Sequence, residues 1–190
     1  MRYFDWTPTV QYETPVYIDA NVLVGAVVQS QPIYSNCVNL LADLLINQSR
    51  ILVSPLSIQE SLWAIAKLSY CDLTHQRSGA HFNAEVYRRW CSDIFKTYGS
   101  RMAAVPSMLT DFVAQGASVE LIPNHNSLWN RTLQLTPGYM QQCRLTPMDA
   151  LHLALAETHA RTFITADSDF SSVAQSLPAV DLIVLHVPRP

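Results

Sequence analysis

Glycine is scarce in this sequence. Five glycines occur in 190 residues, and none belongs to a GxxxxGKS/T or GxGxxG pattern. Such patterns let backbone amides cradle a phosphate group at the start of a helix. The sequence therefore excludes the glycine-rich phosphate loops of P-loop enzymes and of dinucleotide-binding proteins.

An excess of positive charge is also missing. The chain has 12 Lys and Arg residues against 15 Asp and Glu residues, which gives a formal net charge of −3. A general positive field that attracts nucleic acid is thereby excluded. A nucleic-acid enzyme remains possible, but its basic surface must be local or supplied by a partner or a second copy.

Paired cysteines and long apolar runs are lacking too. The four cysteines form no CxxC pattern, which argues against zinc and redox motifs of that type and is typical of reduced intracellular thiols. The longest apolar run, residues 21–28, is too short to cross a membrane, and the first residues contain no apolar signal core. We therefore expect a soluble, cytoplasmic protein with no membrane contact.

Apolar residues make up 49% of the chain, enough for a substantial core, and their pattern alternates between strands and helices. The predicted strands are 15–18, 51–53, 119–122, 163–165 and 182–185. The main predicted helices are 22–29, 34–48, 55–70, 147–156 and 168–175. Such alternation predicts an α/β fold with a central parallel sheet and right-handed crossovers.

Residues 71–135 interrupt this alternation. They contain a predicted long helix over 81–98, a second helix over 105–115 and a possible helical turn over 126–134. We expect one domain over 1–190, with 71–135 as a helical insertion or elaboration. Residues 1–14 are predicted to be irregular. A break in regular secondary structure is predicted at Thr136-Pro137-Gly138.

Acidic residues recur where predicted strands end or helices begin. Asp19 and Asp167 each follow a strand, Asp169 comes two residues after Asp167, and Glu60 and Asp149 lie early in helices. The carboxyl ends of parallel strands meet at one edge of a sheet, so these side chains are expected to converge on a ligand. No Lys or Arg lies within three residues of any of the five.

A buried cluster of carboxylates needs a compensating cation, since the cost of burying one alone is on the order of several kcal/mol. Oxygen ligands without histidine or thiolate favour Mg²⁺ or Mn²⁺. Such a site suits phosphodiester hydrolysis, because a divalent ion binds the phosphate and lowers the pKa of water. His152 is predicted to be a packed histidine without a zinc role.

Helix capping is the competing explanation for the same acids. Asp149 lies three residues after Thr146 and Glu60 three residues after Ser57, and both spacings are those of a capping box. Asp167 could cap the helix that starts at Ser168. The metal interpretation therefore depends on the acids meeting at one edge of one sheet.

The segments that carry these acids resemble the PIN-domain family and, within it, the VapC-type toxins of toxin–antitoxin pairs. The resemblance lies in Val16–Val24 and Ser54–Leu62, and it is clearest in Met148–Ala156 and Phe163–Phe170. It extends over residues 15–68 and 145–187. The chain is longer than such toxins between Glu60 and Asp149, and the additional residues fall in 71–135.

The resemblance implies a three-layer α/β/α domain and a metal-dependent ribonuclease that acts on single-stranded RNA. It implies that the catalytic acids and Mg²⁺ or Mn²⁺ ligands are Asp19, Glu60, Asp149 and Asp167, with Asp169 as a fifth ligand. Asn21 and Thr165 match positions that support the site through hydrogen bonds. A homodimer and a small antitoxin partner are implied as well.

Two other functions fit the same residues. One is a catalytically idle PIN-like module that binds RNA or a protein, and the other is a Mg²⁺-dependent phosphoesterase that acts on DNA or small phosphates. A basic and aromatic segment over 87–101 could hold a single strand, or it could be a solvated helix face with core aromatics.

Overall fold

The computed structural model describes residues 1–122 and 127–189, which form six strands and seven helices. The strands are β1 (Arg2–Asp5), β2 (Val16–Ile18), β3 (Arg50–Val53), β4 (Ser118–Leu121), β5 (Thr162–Thr165) and β6 (Ile183–His186). The helices are α1 (Ala20–Val27), α2 (Tyr34–Ile46), α3 (Pro55–Thr74), α4 (Ala84–Ala114), α5 (Ser127–Cys143), α6 (Pro147–His159) and α7 (Phe170–Ser176).

The six strands form one sheet in the order β1-β6-β5-β2-β3-β4, and every neighbouring pair is parallel. Strands β2 and β5 lie side by side near its centre, with Val16 opposite Thr162 and Ile18 opposite Ile164. Their carboxyl ends therefore reach the same edge, next to each other. The predicted α/β class with a central parallel sheet is confirmed.

Helices cover both faces of the sheet because its central strands are apolar on both sides. Val16 and Ile18 pack in one core cluster with residues of α1, α2, α3 and α4. Tyr17, which points to the opposite face, packs with residues of α6 and α7 in a second cluster. The result is the expected arrangement of three layers.

The prediction of an irregular lead-in was wrong for Arg2–Asp5, which form β1. This strand pairs with β6 at the edge of the sheet, with Arg2 opposite Ile183. Three of its four side chains are exposed, and the remaining one is only partly buried. Because an edge strand of this kind shows no apolar run, its sequence gives little signal of a strand.

The helices of the 71–135 segment are longer and more continuous than predicted. The two helices expected over 81–98 and 105–115 form the single helix α4, which bends at Tyr98, where φ is −125° and ψ is 26°. The break predicted at Thr136-Pro137-Gly138 is wrong, since α5 continues through Pro137. Pro137 and Leu133, four residues before it, are exposed, so the carbonyl that loses its partner lies on the solvent side. Asn126, the predicted start of the turn region, lies outside the described residues.

Two features that the composition suggested are visible in the structure. All four cysteines are free thiols. Among the described helices, none combines the length and the apolar character that crossing a membrane requires.

Candidate functional site

Asp19 lies at the junction of β2 and α1, at the carboxyl edge of the sheet. Its Oδ1 accepts a hydrogen bond from the backbone N–H of Ala20 at 2.7 Å, and its Oδ2 accepts one from the Thr165 hydroxyl at 2.7 Å. The residue is only 7% exposed. A carboxylate has about four acceptor positions, so Asp19 retains capacity for a further ligand.

Asn21 and Thr165 connect α1 to the end of β5. The Asn21 Oδ1 accepts a hydrogen bond from the Ala166 N–H at 2.9 Å, and its Nδ2 donates to Thr165 Oγ1 at 3.3 Å. Thr165 Oγ1 also accepts from the Asp167 N–H at 3.1 Å. These hydrogen bonds fix the position of Asp19 relative to the turn after β5. That Asn21 and Thr165 support catalysis in this way stays a prediction.

Glu60 meets Asp19 through a histidine. Glu60 lies in the second turn of α3, a helix that the Ser54 side chain caps, and its Oε2 is 2.5 Å from His152 Nε2. The same nitrogen is 3.9 Å from Asp19 Oδ1. Each of the three residues offers one ligand atom, and these atoms all lie within 4.8 Å of one another.

Tyr17 holds the other side of the His152 ring. Its hydroxyl is 2.6 Å from His152 Nδ1, 2.9 Å from Ser54 Oγ and 3.1 Å from Ser57 Oγ. A carboxylate only accepts, so Nε2–H of His152 must donate to Glu60. Nδ1 then accepts from Tyr17 when the ring is neutral and donates to it when the ring is protonated.

Burial and opposite charges compete at this network. Burial lowers the pKa of His152, but the hydrogen bond to Glu60 and the charges of Asp19, Glu60 and Asp149 outweigh it, so the pKa lies above its ordinary value. Burial raises the pKa of Asp19, against the effects of His152, Thr165 and Ala20. Burial also raises the pKa of Tyr17, which keeps the phenol protonated. The cluster therefore tends to retain a proton when no other cation is present.

Asp149 caps its helix and also lines the site. The Thr146 hydroxyl donates to Asp149 Oδ2 at 2.6 Å, and the Asp149 N–H donates to Thr146 Oγ1 at 3.3 Å. Asp149 nevertheless forms part of the wall of a cavity of about 500 Å³ together with Asp19, Glu60 and His152. Asp149 therefore both caps α6 and forms part of the cavity wall, while its role as a metal ligand stays a prediction.

Asp167 and Asp169 lie beside this cavity and do not form its wall. The Asp167 Oδ1 accepts a hydrogen bond from the Asp169 N–H at 2.9 Å, which closes a turn after β5. Burial, Asp5 and Asp167 together raise the pKa of Tyr3, which lies on β1. Of the five predicted acids, the structure brings Asp19, Glu60 and Asp149 to one cavity and leaves Asp167 and Asp169 outside it.

His152 is the residue that sequence reasoning missed. It was predicted to be packed without a zinc role, and its side chain is indeed only 3% exposed, but it lies between two acids of the candidate site. A signal was present, since His152 follows Asp149 by three residues and residues so spaced share one face of a helix.

These side chains fit a divalent cation. Asp19 and Glu60 offer carboxylate oxygens, which suit Mg²⁺ or Mn²⁺, whereas the His152 imidazole is a ligand typical of transition metals such as Zn²⁺. Nε2 of His152 would have to release its proton before it could bind an ion. The choice between Mg²⁺ and Mn²⁺ stays a prediction.

The basic and aromatic segment over 87–101 is partly structural. Arg101 pairs with Asp72 at 2.6 Å and lies over the Tyr98 ring at 4.5 Å. Tyr87 and Trp90 pack against the core. These contacts favour the solvated helix face with core aromatics over a dedicated strand-binding surface.

Comparison with known proteins gives one finding. The model of the PIN domain family matches residues 115–176, about one third of the chain. The matched residues contain Asp149, His152 and Asp167 but not Asp19 or Glu60, and they begin within the 71–135 segment. No match to the chain was found among curated proteins or among solved structures. Together with the parallel sheet, the match supports the PIN family, whose domains are usually metal-dependent nucleases.

Replacing Tyr17 by Phe tests the hydrogen-bond network. The change leaves His152 Nδ1 and the Ser54 and Ser57 hydroxyls without their common partner, and we expect a loss of about 1–3 kcal/mol in the free energy of unfolding. Urea denaturation measures this loss. Tyr139→Phe is the matched control, because Tyr139 is also buried but its hydroxyl makes no hydrogen bond within the described residues. Equal losses in both variants would contradict the network.

The raised pKa of His152 predicts a pH-dependent stability in the metal-free protein. A folded-state pKa above the unfolded value of about 6.5 contributes stability that is complete below that value and is lost as the pH rises through the folded-state pKa. The difference in unfolding free energy between wild type and His152→Asn should therefore shrink with rising pH. Urea denaturation in EDTA from pH 5.5 to pH 9 checks this, and a difference that grows with pH would overturn it.

Proposed function

We propose that this protein is a Mg²⁺- or Mn²⁺-dependent endoribonuclease that hydrolyses phosphodiester bonds of single-stranded RNA. The observation that carries the proposal is the meeting of Asp19, Glu60 and His152, whose ligand atoms lie within 4.8 Å of one another. The match to the PIN domain family supports it, since that family is usually nucleolytic.

In this proposal the acids of the cavity hold the metal. Asp19, Glu60 and Asp149 form part of one cavity wall. Asp19 follows β2 at the carboxyl edge of the sheet, and Glu60 and Asp149 lie in the first two turns of α3 and α6. Asp167 and Asp169 follow β5 at the same edge and are further proposed ligands, although neither lines the cavity. A bound divalent ion would neutralise charge on the phosphate and lower the pKa of the attacking water.

The side chains around the cavity orient the carboxylates of Asp19 and Glu60, and His152 holds a proton between them. Thr165 and the α1 backbone fix both oxygens of Asp19, and Glu60 is held against His152. Release of the Nε2 proton frees Glu60 and Asp19 from their internal cation. The Tyr17 hydroxyl can accept from or donate to Nδ1, so the network accommodates both protonation states without repacking.

A toxin role is the narrower proposal. It is supported by the resemblance of 16–24, 54–62, 148–156 and 163–170 to VapC-type toxins, which also suggests an antitoxin partner, a homodimer and a cytoplasmic location. A short upstream gene that encodes a DNA-binding protein would support the toxin role, and co-purification of its product with this chain would test it directly.

Cleavage assays test the nuclease proposal. We expect cleavage of a labelled single-stranded RNA with Mg²⁺ or Mn²⁺. A loss of roughly 100-fold or more is expected in EDTA, which removes the ion, and in Asp149→Asn, which removes one of its proposed ligands. Asp93→Asn is the matched control, because Asp93 is exposed on α4 and lies outside the cavity. Cleavage that persists in EDTA and in Asp149→Asn would refute the proposed metal-dependent nuclease. A preference for single-stranded DNA would refute RNA as the substrate.

A catalytically idle PIN-like module is the second candidate. It is favoured by one observation, namely that His152 already lies between Glu60 and Asp19 and can neutralise them without a metal. Calorimetric titration with Mn²⁺ separates the two functions. A nuclease should bind the ion with a proton release that His152→Asn reduces, whereas an idle module should show no saturable heat.

A further inference from the structure

Two basic residues line the acidic cavity without neutralising its acids. Lys67 of α3 and Arg189, which follows β6, form part of the same wall as Asp19, Glu60 and Asp149. Within the described parts of the chain, neither cation forms an ion pair with a carboxylate, whereas Arg50 and Arg101, for example, pair with Glu120 and Asp72. The two charges are therefore available to an anionic ligand in the cavity.

The side chain of Lys67 is held in place by the loop that follows α3. Lys67 comes seven residues after Glu60, so both lie on one side of the helix. Its stem crosses Gly79 so closely that a Cβ at position 79 would lie 2.6 Å from Lys67 Cγ and 2.4 Å from Cε. Because Cγ is close to the backbone, it has little freedom to move away. Gly79 thus provides the space in which the Lys67 stem lies.

The segment that carries Arg189 is also tied down. The Asn36 Nδ2 donates a hydrogen bond to the Pro188 carbonyl at 2.9 Å, which fastens the segment after β6 to α2. Lys67 and Arg189 therefore reach the cavity wall from two separate elements of the chain. Both residues are exposed.

We infer that Lys67 and Arg189 bind the phosphates that flank the scissile phosphodiester, so that a single strand crosses the acidic cavity between α3 and the segment after β6. The inference rests on the proposed nuclease function. A chain of net charge −3 has no general attraction for RNA, and the cavity acids repel it. Local cations at the cavity wall supply the attraction that binding requires, and phosphate contacts set position without reading sequence.

The salt dependence of RNA binding tests this inference separately from cleavage. Each phosphate that a cation neutralises on a single strand contributes a slope of about −0.7 to the plot of log K against log salt concentration. The full-length protein in EDTA is titrated into a fluorescein-labelled single-stranded oligoribonucleotide, and anisotropy is followed from 25 to 200 mM NaCl. Lys67→Gln and Arg189→Gln should each reduce the slope by about 0.7, and the double variant by about 1.4.

Controls distinguish local phosphate binding from a general charge effect. Lys96→Gln removes an exposed charge on α4 that lies outside the cavity and forms no ion pair with any residue that the structure describes, and it should leave the slope unchanged. Gly79→Ala should lower the affinity in the same direction as Lys67→Gln, because it displaces the Lys67 stem while all charges stay. Circular dichroism confirms that the variants are folded.

The outcomes separate the two proposals. Reduced slopes without cleavage would support the phosphate contacts and reject the nuclease. Cleavage with slopes equal to that of Lys96→Gln would reject the phosphate contacts and keep the nuclease. No measurable binding of wild type to the RNA would reject the phosphate contacts outright.

Discussion

The hydrogen bond between His152 and Glu60 is the contact on which the candidate site depends. Asp19 is buried and Glu60 lies close to it, so their negative charges need a nearby cation. Within the described residues, no lysine or arginine forms an ion pair with either acid. His152 is the group that can carry the positive charge, and its protonation state decides whether the two acids are occupied internally or free to bind an ion.

The sheet explains why these groups meet. Strands β2 and β5 are parallel neighbours in register, so Asp19 and Thr165 leave the sheet at the same edge and join through a hydrogen bond. Helix α3 follows β3, the other neighbour of β2, and delivers Glu60 to that edge. Helix α6 packs across the opposite face and delivers both Asp149 and His152. Four elements that are distant in the chain therefore contribute to one cavity.

Much of this arrangement could be predicted from local sequence signals. Strands β2, β3 and β5 are short apolar runs, and Asp19 and Asp149 stand at a strand end and in a capping box. The spacing of His152 three residues after Asp149 places it on the same helix face, but its hydrogen bonds go to Tyr17 and Glu60, which are 135 and 92 residues away in the chain. Local sequence therefore points to the position of His152 but does not reveal its partners. Strand β1 was missed because its side chains are mostly exposed, and the direction of the Asp167 side chain depends on the turn after β5, whose conformation periodicity does not specify.

The contacts of Tyr17 have a consequence for how the protein would change between its metal-free and metal-loaded forms. The phenol oxygen touches two serines and one imidazole inside a tightly packed core. A hydroxyl can reverse its direction by rotating one O–H bond, so the surrounding atoms need not shift when the ring changes its proton. The molecule can thus exchange a proton for an ion with an unaltered backbone, and its two forms should give superimposable crystal structures outside the immediate ligands.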